Sequence, residues 1–151
     1  MLLKKIQIRQ AVMADLPGLL RLEQRGFNSD RISTRSFRRW LQTGHEGLAV
    51  ACDSEQVFGY VLILHRRGSA VVRLYSLAVD KAASGQGIGR ALLRWAENKA
   101  RDWSAQRIHL EVQHDNQFAL QLYRSAGYEL VKRLPGYYEN GADGLRLRRE
   151  L

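Results

Sequence analysis

Cysteine and proline are nearly missing from this chain, which carries one cysteine, Cys52, and two prolines, Pro17 and Pro135, in 151 residues. A single thiol cannot close an internal disulfide, so the stapled frameworks of small secreted domains are excluded and a reducing compartment, the cytoplasm, is expected. Long apolar runs are missing too. Tyr60–Leu64 is among the longest, far short of a bilayer span, so no membrane role is expected. The opening Met1-Leu2-Leu3-Lys4-Lys5 has no extended apolar stretch or small-residue cleavage site of a secretory signal. Repeats, low-complexity tracts and linkers are absent, which predicts one domain over residues 1–151. A domain of this size buries roughly two-thirds of its unfolded surface and needs no metal to fold.

Acidic residues are scarce: 15 Asp and Glu against 24 Lys and Arg, a net charge of +9. Such a field favours anionic partners: nucleic acid, an anionic surface or a phosphorylated cofactor. The cations are scattered apart from Arg38-Arg39, Arg66-Arg67 and Arg146-Leu147-Arg148-Arg149. No dense basic arm is present, which makes nucleic-acid binding the weaker reading.

What is present is a regular succession of periodic segments. Lys4–Arg9 alternates as a half-buried strand. Leu16, Leu19 and Leu20 follow Asp15 at helical spacing, with Pro17 in the first turn. Ser33 or Thr34 can cap a second helix through Phe37, Trp40 and Leu41. Strands are predicted over Leu48–Cys52, Val57–Leu64 and Ala70–Val79. A helix over Ile88–Trp103, a strand over Arg107–Gln113, a helix over Asn116–Ala126 capped by Gly127, and strands over Tyr128–Leu134 and Gly144–Leu151 complete the order. The result is β-α-α-β-β-β-α-β-α-β-β, a mixed α/β fold with parallel pairing around the central strand–helix–strand unit.

The turn Ser84-Gly85-Gln86-Gly87-Ile88-Gly89 lies between a strand end and a helix start. Glycines let backbone approach a ligand, and the first N–H groups of a helix have no intrahelical partner and carry the positive end of its dipole. Together they suit a phosphate or pyrophosphate. A dinucleotide fingerprint would need glycine at Arg90, and the Gly-Lys-Ser/Thr of a P-loop is missing. A merely structural tight turn remains open on spacing alone.

Leu74-Tyr75-Ser76-Leu77-Ala78-Val79-Asp80 followed by Gly85-Gln86-Gly87-Ile88-Gly89-Arg90-Ala91-Leu92-Leu93 resembles the coenzyme-A motif of the GNAT superfamily of N-acetyltransferases. Ser84 departs from the long polar residue that the motif carries at that position. The resemblance implies a GNAT fold: a central, largely antiparallel seven-stranded sheet flanked by about four helices. It also implies that acetyl-CoA is held at the strand end Leu77-Ala78-Val79 through backbone of Leu77 and Val79, with Ser84 through Arg90 (Gly85, Gln86, Gly87, Ile88 and Gly89 between) at the pyrophosphate. Element order agrees over nearly the whole chain.

Acetyl transfer from a thioester needs a neutral amine, and sulfur leaves better with a proton supplied. Glu111 faces away from the apolar row Ile108, Leu110 and Val112 of its strand. Composition alone would make it an exposed strand carboxylate. Leu110-Glu111-Val112-Gln113-His114-Asp115-Asn116 with Leu122-Tyr123-Arg124-Ser125-Ala126-Gly127-Tyr128 is similar to the signature of N-terminal acetyltransferases, notably the ribosomal-protein alanine (RimI) type. That similarity implies Glu111 as base, Asn116 as a pantetheine contact and Tyr123 as acid near sulfur. Tyr123 is also placed on the apolar helix face, where a plain core tyrosine would sit.

The Leu134-Pro135-Gly136-Tyr137-Tyr138-Glu139-Asn140-Gly141-Ala142-Asp143 loop resembles that subfamily's wall over the peptide end. Tyr137 and Tyr138 are the candidate substrate wall and Glu139 a candidate amine or peptide contact. Phe27, Asn28 and Asp30 are the facing wall. The expected acceptor is a protein N-terminus, a ribosomal protein being one target. A small-molecule or lysine amine, and a non-catalytic CoA-binding module, are the competing readings. His109-x-Glu111 lacks the Pro-Cys-x-x-Cys partner of zinc deaminases, and the four histidines show no ligand spacing, so no metal is expected. Cys52 reads as a buried structural thiol, leaving direct attack within a ternary complex. Monomer and homodimer are both open.

Overall fold

The computed structural model describes residues 5–27 and 30–151. Seven strands form one sheet: β1 (Gln7–Gln10), β2 (Leu48–Cys52), β3 (Val57–His65), β4 (Val71–Val79), β5 (Arg107–Gln113), β6 (Glu129–Leu134) and β7 (Gly144–Glu150). Four α-helices accompany them: α1 (Leu16–Gly26), α2 (Thr34–Thr43), α3 (Ile88–Asp102) and α4 (Gln117–Ser125). The order expected from the sequence holds throughout, and β2 and β5 have the predicted bounds. The first strand begins later than predicted, at Gln7, and part of the predicted segment (Lys4) lies outside the described residues.

The sheet order is β1-β2-β3-β4-β5-β7-β6. Each neighbouring pair is antiparallel except β4 with β5, which the α3 crossover makes parallel. On one face, α3 and α4 seal a core that includes Leu92, Ile108, Leu110 and Leu147. On the other, α1 and α2 pack Leu19, Leu22 and Phe37 against Val50, Tyr60 and Leu62. Burying each such side chain contributes about 1.5–3 kcal/mol against the entropy of ordering the chain.

Local signals set the ends. The Ser33 hydroxyl accepts from the Ser36 N–H at 3.1 Å and opens α2. Asp15 does not cap α1 with its side chain. Its carboxylate turns back to receive both Arg9 guanidinium nitrogens at 2.7 and 2.9 Å and the Val12 N–H at 2.8 Å. Burial alone would raise its pKa, but these three donors win and hold it below the usual carboxylate range.

Two irregularities in β4 shape everything that follows. First, Leu62 pairs with Ser76 but Ile63 pairs with Leu74, so Tyr75 is an extra residue in the strand. The bulge resets the alternation. Val72 and Leu74 face the α3 core, as do Leu77 and Val79, while Ala78 joins the α1 side. Second, β4 pairs with β5 only from Val71↔Arg107 to Leu74↔Leu110, and beyond that the two strands share no register.

Candidate active site

The strand edge left unpaired at this divergence is chemically specific. Asp80 donates its N–H to the Phe58 carbonyl at 2.7 Å. Alternation along an extended strand therefore turns the N–H and C=O groups of Leu77 and Val79 the other way, into the gap. A groove of about 650 Å³ runs along this edge. Its apolar wall includes Leu77, Ala78, Val79 and Leu122, with Arg25 and Lys81 as cations and Ser84 at its end. Neither cation stood out in the sequence; each gains its meaning by folding beside the strand end.

The glycines beside the groove serve different needs. Gly85 (φ 79°) and Gly87 (φ 78°) hold left-handed backbone, and a Cβ on either would meet no atom within 4 Å. Conformation, not space, demands glycine there. Gly89 has ordinary helical backbone, but a Cβ would come 3.2 Å from Leu122 Cδ2. It lets α3 and α4 approach. Ile88 is buried in the core, Gln86 borders a recess beside β1, and the Arg90 guanidinium donates to Ser125 Oγ at 2.8 Å. These three side chains point elsewhere, so only their backbone remains as a candidate contact at the turn.

A second cleft, about 160 Å³, opens into the groove. Phe27, Leu77, Asn116, Ala119 and Tyr123 line both. Asn116 caps α4, its Oδ1 accepting from the Ala119 N–H at 3.1 Å. Tyr123 is 5% exposed and packs 5.7 Å from the Tyr128 ring. Burial, with Tyr138 a smaller cause, pushes its phenol pKa well up, so it stays protonated.

At the far end of the second cleft stands Glu111. Its side chain is only 7% exposed and makes two ion pairs, Oε1 with Arg73 Nη2 at 2.8 Å and Oε2 with Arg146 Nε at 2.9 Å. The exposed carboxylate suggested by composition is thus corrected: β5 carries Glu111 into a pocket whose cations come from β4 and β7. Arg146 is its direct cross-strand partner. Neighbouring His109 has a pKa lowered by burial, then by Arg146 and Arg148; its Nε2 is buried without a partner.

The two predicted walls do face each other. Phe27, Asp30 and Tyr138 line the cleft, and the Glu139 N–H donates to Asp30 Oδ2 at 3.3 Å, bridging the walls. Glu139 contributes backbone here; its side chain is not part of the cleft lining. Tyr137 stands outside the cleft, T-shaped to Tyr138 at 5.0 Å, and accepts from Arg73 at 3.3 Å. Asn28 lies outside the described residues.

One buried group escaped the sequence reading. Glu23 in α1, 3% exposed, accepts the Ile32 N–H at 2.7 Å and the Tyr60 hydroxyl, while Tyr60 also meets Ser76 Oγ at 2.6 Å. Burial raises the Glu23 pKa. Glu23 ties α1, β3 and the segment before α2 together, and with Ser76 it lines the cleft. Among the described residues no group of three His, Cys, Asp or Glu could hold a metal ion, and no helix is long and apolar enough to cross a membrane.

Residues 15–128 match the model of the Acetyltransferase (GNAT) family. The N-alpha-acetyltransferase RimI of Mycobacterium tuberculosis is 36% identical over 118 residues, 76% of this chain and 73% of that protein. An uncharacterized protein of Mycobacterium leprae is 33% identical over 141 residues, 91% of this chain; there the chain spans only 38% of the relative's length. In structure, the chain superposes with a TM-score of 0.85 on a chain of the NatC complex bound to Gag peptide and CoA, at 23% identity and with 97% and 99% of the two chains covered.

Proposed function

The chain belongs to the GNAT acetyltransferase family and is an acetyl-CoA-dependent N-acetyltransferase; from that premise we propose that its acceptor is the α-amine of a protein or peptide N-terminus. One observation carries the reading. The groove and the carboxylate-bearing cleft meet at Leu77, Asn116 and Tyr123, so a thioester lying in one would face an amine entering from the other.

The residues fit the acyl donor. Leu77 and Val79 offer unpaired backbone groups along an apolar groove whose lining includes the cations Arg25 and Lys81 and, at Ser84, the start of the glycine turn. Beyond it, left-handed Gly85 and Gly87 lead into the helix N-terminus. Bound there, acetyl-CoA supplies an electrophilic thioester carbonyl and a thiolate leaving group. We assign Leu77 and Val79 to hold its amide-bearing arm and Asn116 to steady it. Ser84 contributes only through backbone.

Glu111 takes up the proton of the acceptor amine through a water. Each of its oxygens engages one guanidinium donor and keeps a second acceptor direction. The burden is light for an α-amine: at pKa about 7.7–8.0 it is roughly 300-fold more deprotonated near neutral pH than a lysine at about 10.4. Tyr123 donates a hydrogen bond to the departing sulfur. Its pKa lies well above the usual thiol value, so it shields the thiolate without surrendering the proton outright. The amine attacks directly within the ternary complex; Cys52 is buried in β2 and plays no part as an acyl carrier.

Residues 1–151 are read as one catalytic domain working in the cytoplasm, with a ribosomal protein as one target. A small-molecule amine is the second reading, favoured by the modest 160 Å³ of the acceptor cleft. Incubation with acetyl-CoA and a panel of peptides with free N-termini tests the first. Transfer to polyamines or amino sugars, and to no peptide α-amine, would replace it with the second.

A further inference from the structure

Glu111 carries more positive charge than it needs. Arg146 already pairs with it across β5 and β7, in register and 35% exposed at its side chain. Arg73 adds a second guanidinium from β4, reaching from its own pairing with His109 to Glu111, the first β5 residue beyond the paired stretch. Arg73 is the more exposed of the two, at 47% of its side chain. Its guanidinium lies 5.2 Å from the Tyr75 ring centroid and reaches the Tyr137 hydroxyl. It therefore spans the mouth of the cleft, touching the catalytic carboxylate, the bulged tyrosine and the β6–β7 loop.

The sheet continues this charge away from the cleft. Register places Arg73, His109 and Arg148 in one row, with Glu129 at its end, and Glu111, Arg146 and Lys132 in the next. Arg148 is exposed and has no ion pair among the described residues. Cross-strand partners share a face, so Arg73, Arg146, Arg148 and Lys132 form a cationic strip leading from the mouth, against the carboxylates of Glu111 and Glu129. His109 lies within it with a buried, unpartnered Nε2.

We propose that Arg73 selects acidic acceptors: a carboxylate one or two residues behind the acceptor amine draws Arg73 off Glu111, and the chain beyond lies along the Arg146–Arg148 strip. The exchange leaves no charge unpaired, because Arg73 trades one carboxylate for another while Arg146 stays on Glu111. Glu111 Oε1 then has both acceptor directions, rather than one, open toward the amine. A basic residue at the same place is repelled by the Arg73 guanidinium and leaves it on Glu111. A nucleic acid fits this strip less well, because its carboxylates interrupt the row and the strip ends at a cleft sized for a chain end.

This inference rests on the peptide-acceptor reading, and the test separates the two. Peptides alike except for Glu-Glu, Gln-Gln or Lys-Lys at the second and third positions are assayed for kcat/KM with wild type, Arg73→Gln, Arg73→Glu and Arg148→Glu, at low and high salt. A parallel set carries the same flanks around an internal lysine behind a blocked N-terminus. Wild type should prefer the acidic over the basic peptide by about 30-fold at low salt, less at high salt. Arg73→Gln should flatten the series, Arg73→Glu should reverse it, and Arg148→Glu should weaken it. Wild-type order persisting in Arg73→Glu, or no order in wild type, overturns the proposal. Transfer to the lysine set alone removes the N-terminal reading, while the flanks still report on Arg73. An RNA oligonucleotide bound through Arg73 and Arg148, with the peptides undiscriminated, would assign the strip to nucleic acid.

Discussion

Replacing Gly87 and Gly89 separately by alanine should have unequal consequences, although both belong to one glycine-rich turn. At Gly87, φ 78° and ψ 13° are left-handed, and an L-residue there costs about 1–2 kcal/mol. Nothing lies within 4 Å of the added methyl, so no steric term joins it, and reduced freedom of the unfolded chain returns about 0.4–1 kcal/mol. The net loss should be near 1 kcal/mol. Because Gly87 is the N-cap of α3, relief of that strain moves the first N–H groups of the helix, those proposed to meet the pyrophosphate, and CoA affinity should fall about fivefold to tenfold. At Gly89, helix propensity favours alanine by about 0.8–1.0 kcal/mol, against a 3.2 Å contact with the movable end of Leu122. Stability should stay within about 1 kcal/mol of wild type, with CoA affinity nearly unchanged. Gly87→Asn is the control, since asparagine tolerates left-handed backbone better. Urea denaturation and calorimetric CoA titration read both quantities. The reasoning is refuted if Gly89→Ala loses more CoA affinity than Gly87→Ala, or if Gly87→Asn is no better than Gly87→Ala.

Glu111→Gln should lower turnover about 10²- to 10⁴-fold and leave CoA affinity unchanged; intact turnover with a normal pH profile would remove Glu111 from the chemistry. Tyr123→Phe keeps the ring packing on Tyr128 and removes the hydroxyl of a residue that lines both cavities. Stability should shift by less than about 0.5 kcal/mol while kcat falls, and a large loss of melting temperature would instead mark a structural tyrosine. Asp15 and Glu23 should give opposite pH dependences of stability. Asp15 is held below its ordinary range, so its stabilisation is present above the unfolded pKa and lost as pH falls through the folded one. Asp15→Asn should therefore lose less stability than wild type on acidification. The Glu23 pKa is raised, so its contribution is full below the unfolded value and declines as pH rises through the folded one. The stability difference between wild type and Glu23→Gln should shrink accordingly, as followed by denaturation across pH.

Element order and most boundaries were legible because they are local. Ser33 caps α2, Gly127 follows α4 at φ 92°, and the alternation of Arg107–Gln113 marks a strand with one buried face. The resemblance also assembled Leu77, Asn116, Tyr123 and Glu111 at one place, and the fold brings them around two joined cavities. What escaped depends on partners far apart in the chain. The arginines on Glu111 come from positions 73 and 146, and Glu23 finds Tyr60 37 residues away. The bulge at Tyr75 escaped for another reason. A two-residue alternation read straight through Ala70–Val79 sends Leu74 and Leu77 to opposite faces, whereas the inserted residue brings both to the α3 core.

The divergence of β4 from β5 has a thermodynamic consequence. From Leu77 onward β4 is an interior strand with an edge strand's exposed amides, and in solution water must serve them. A pantetheine arm, itself a chain of two amides, would act there as a surrogate strand and restore the ladder. The amide hydrogens of Leu77 and Val79 should then exchange rapidly in the free protein and slow sharply with CoA. The fold should gain stability in proportion to the logarithm of ligand concentration, about 2.7 kcal/mol at 100 times the dissociation constant. An interior position left without its own strand would make the acyl donor, bound as proposed, a structural member of the sheet.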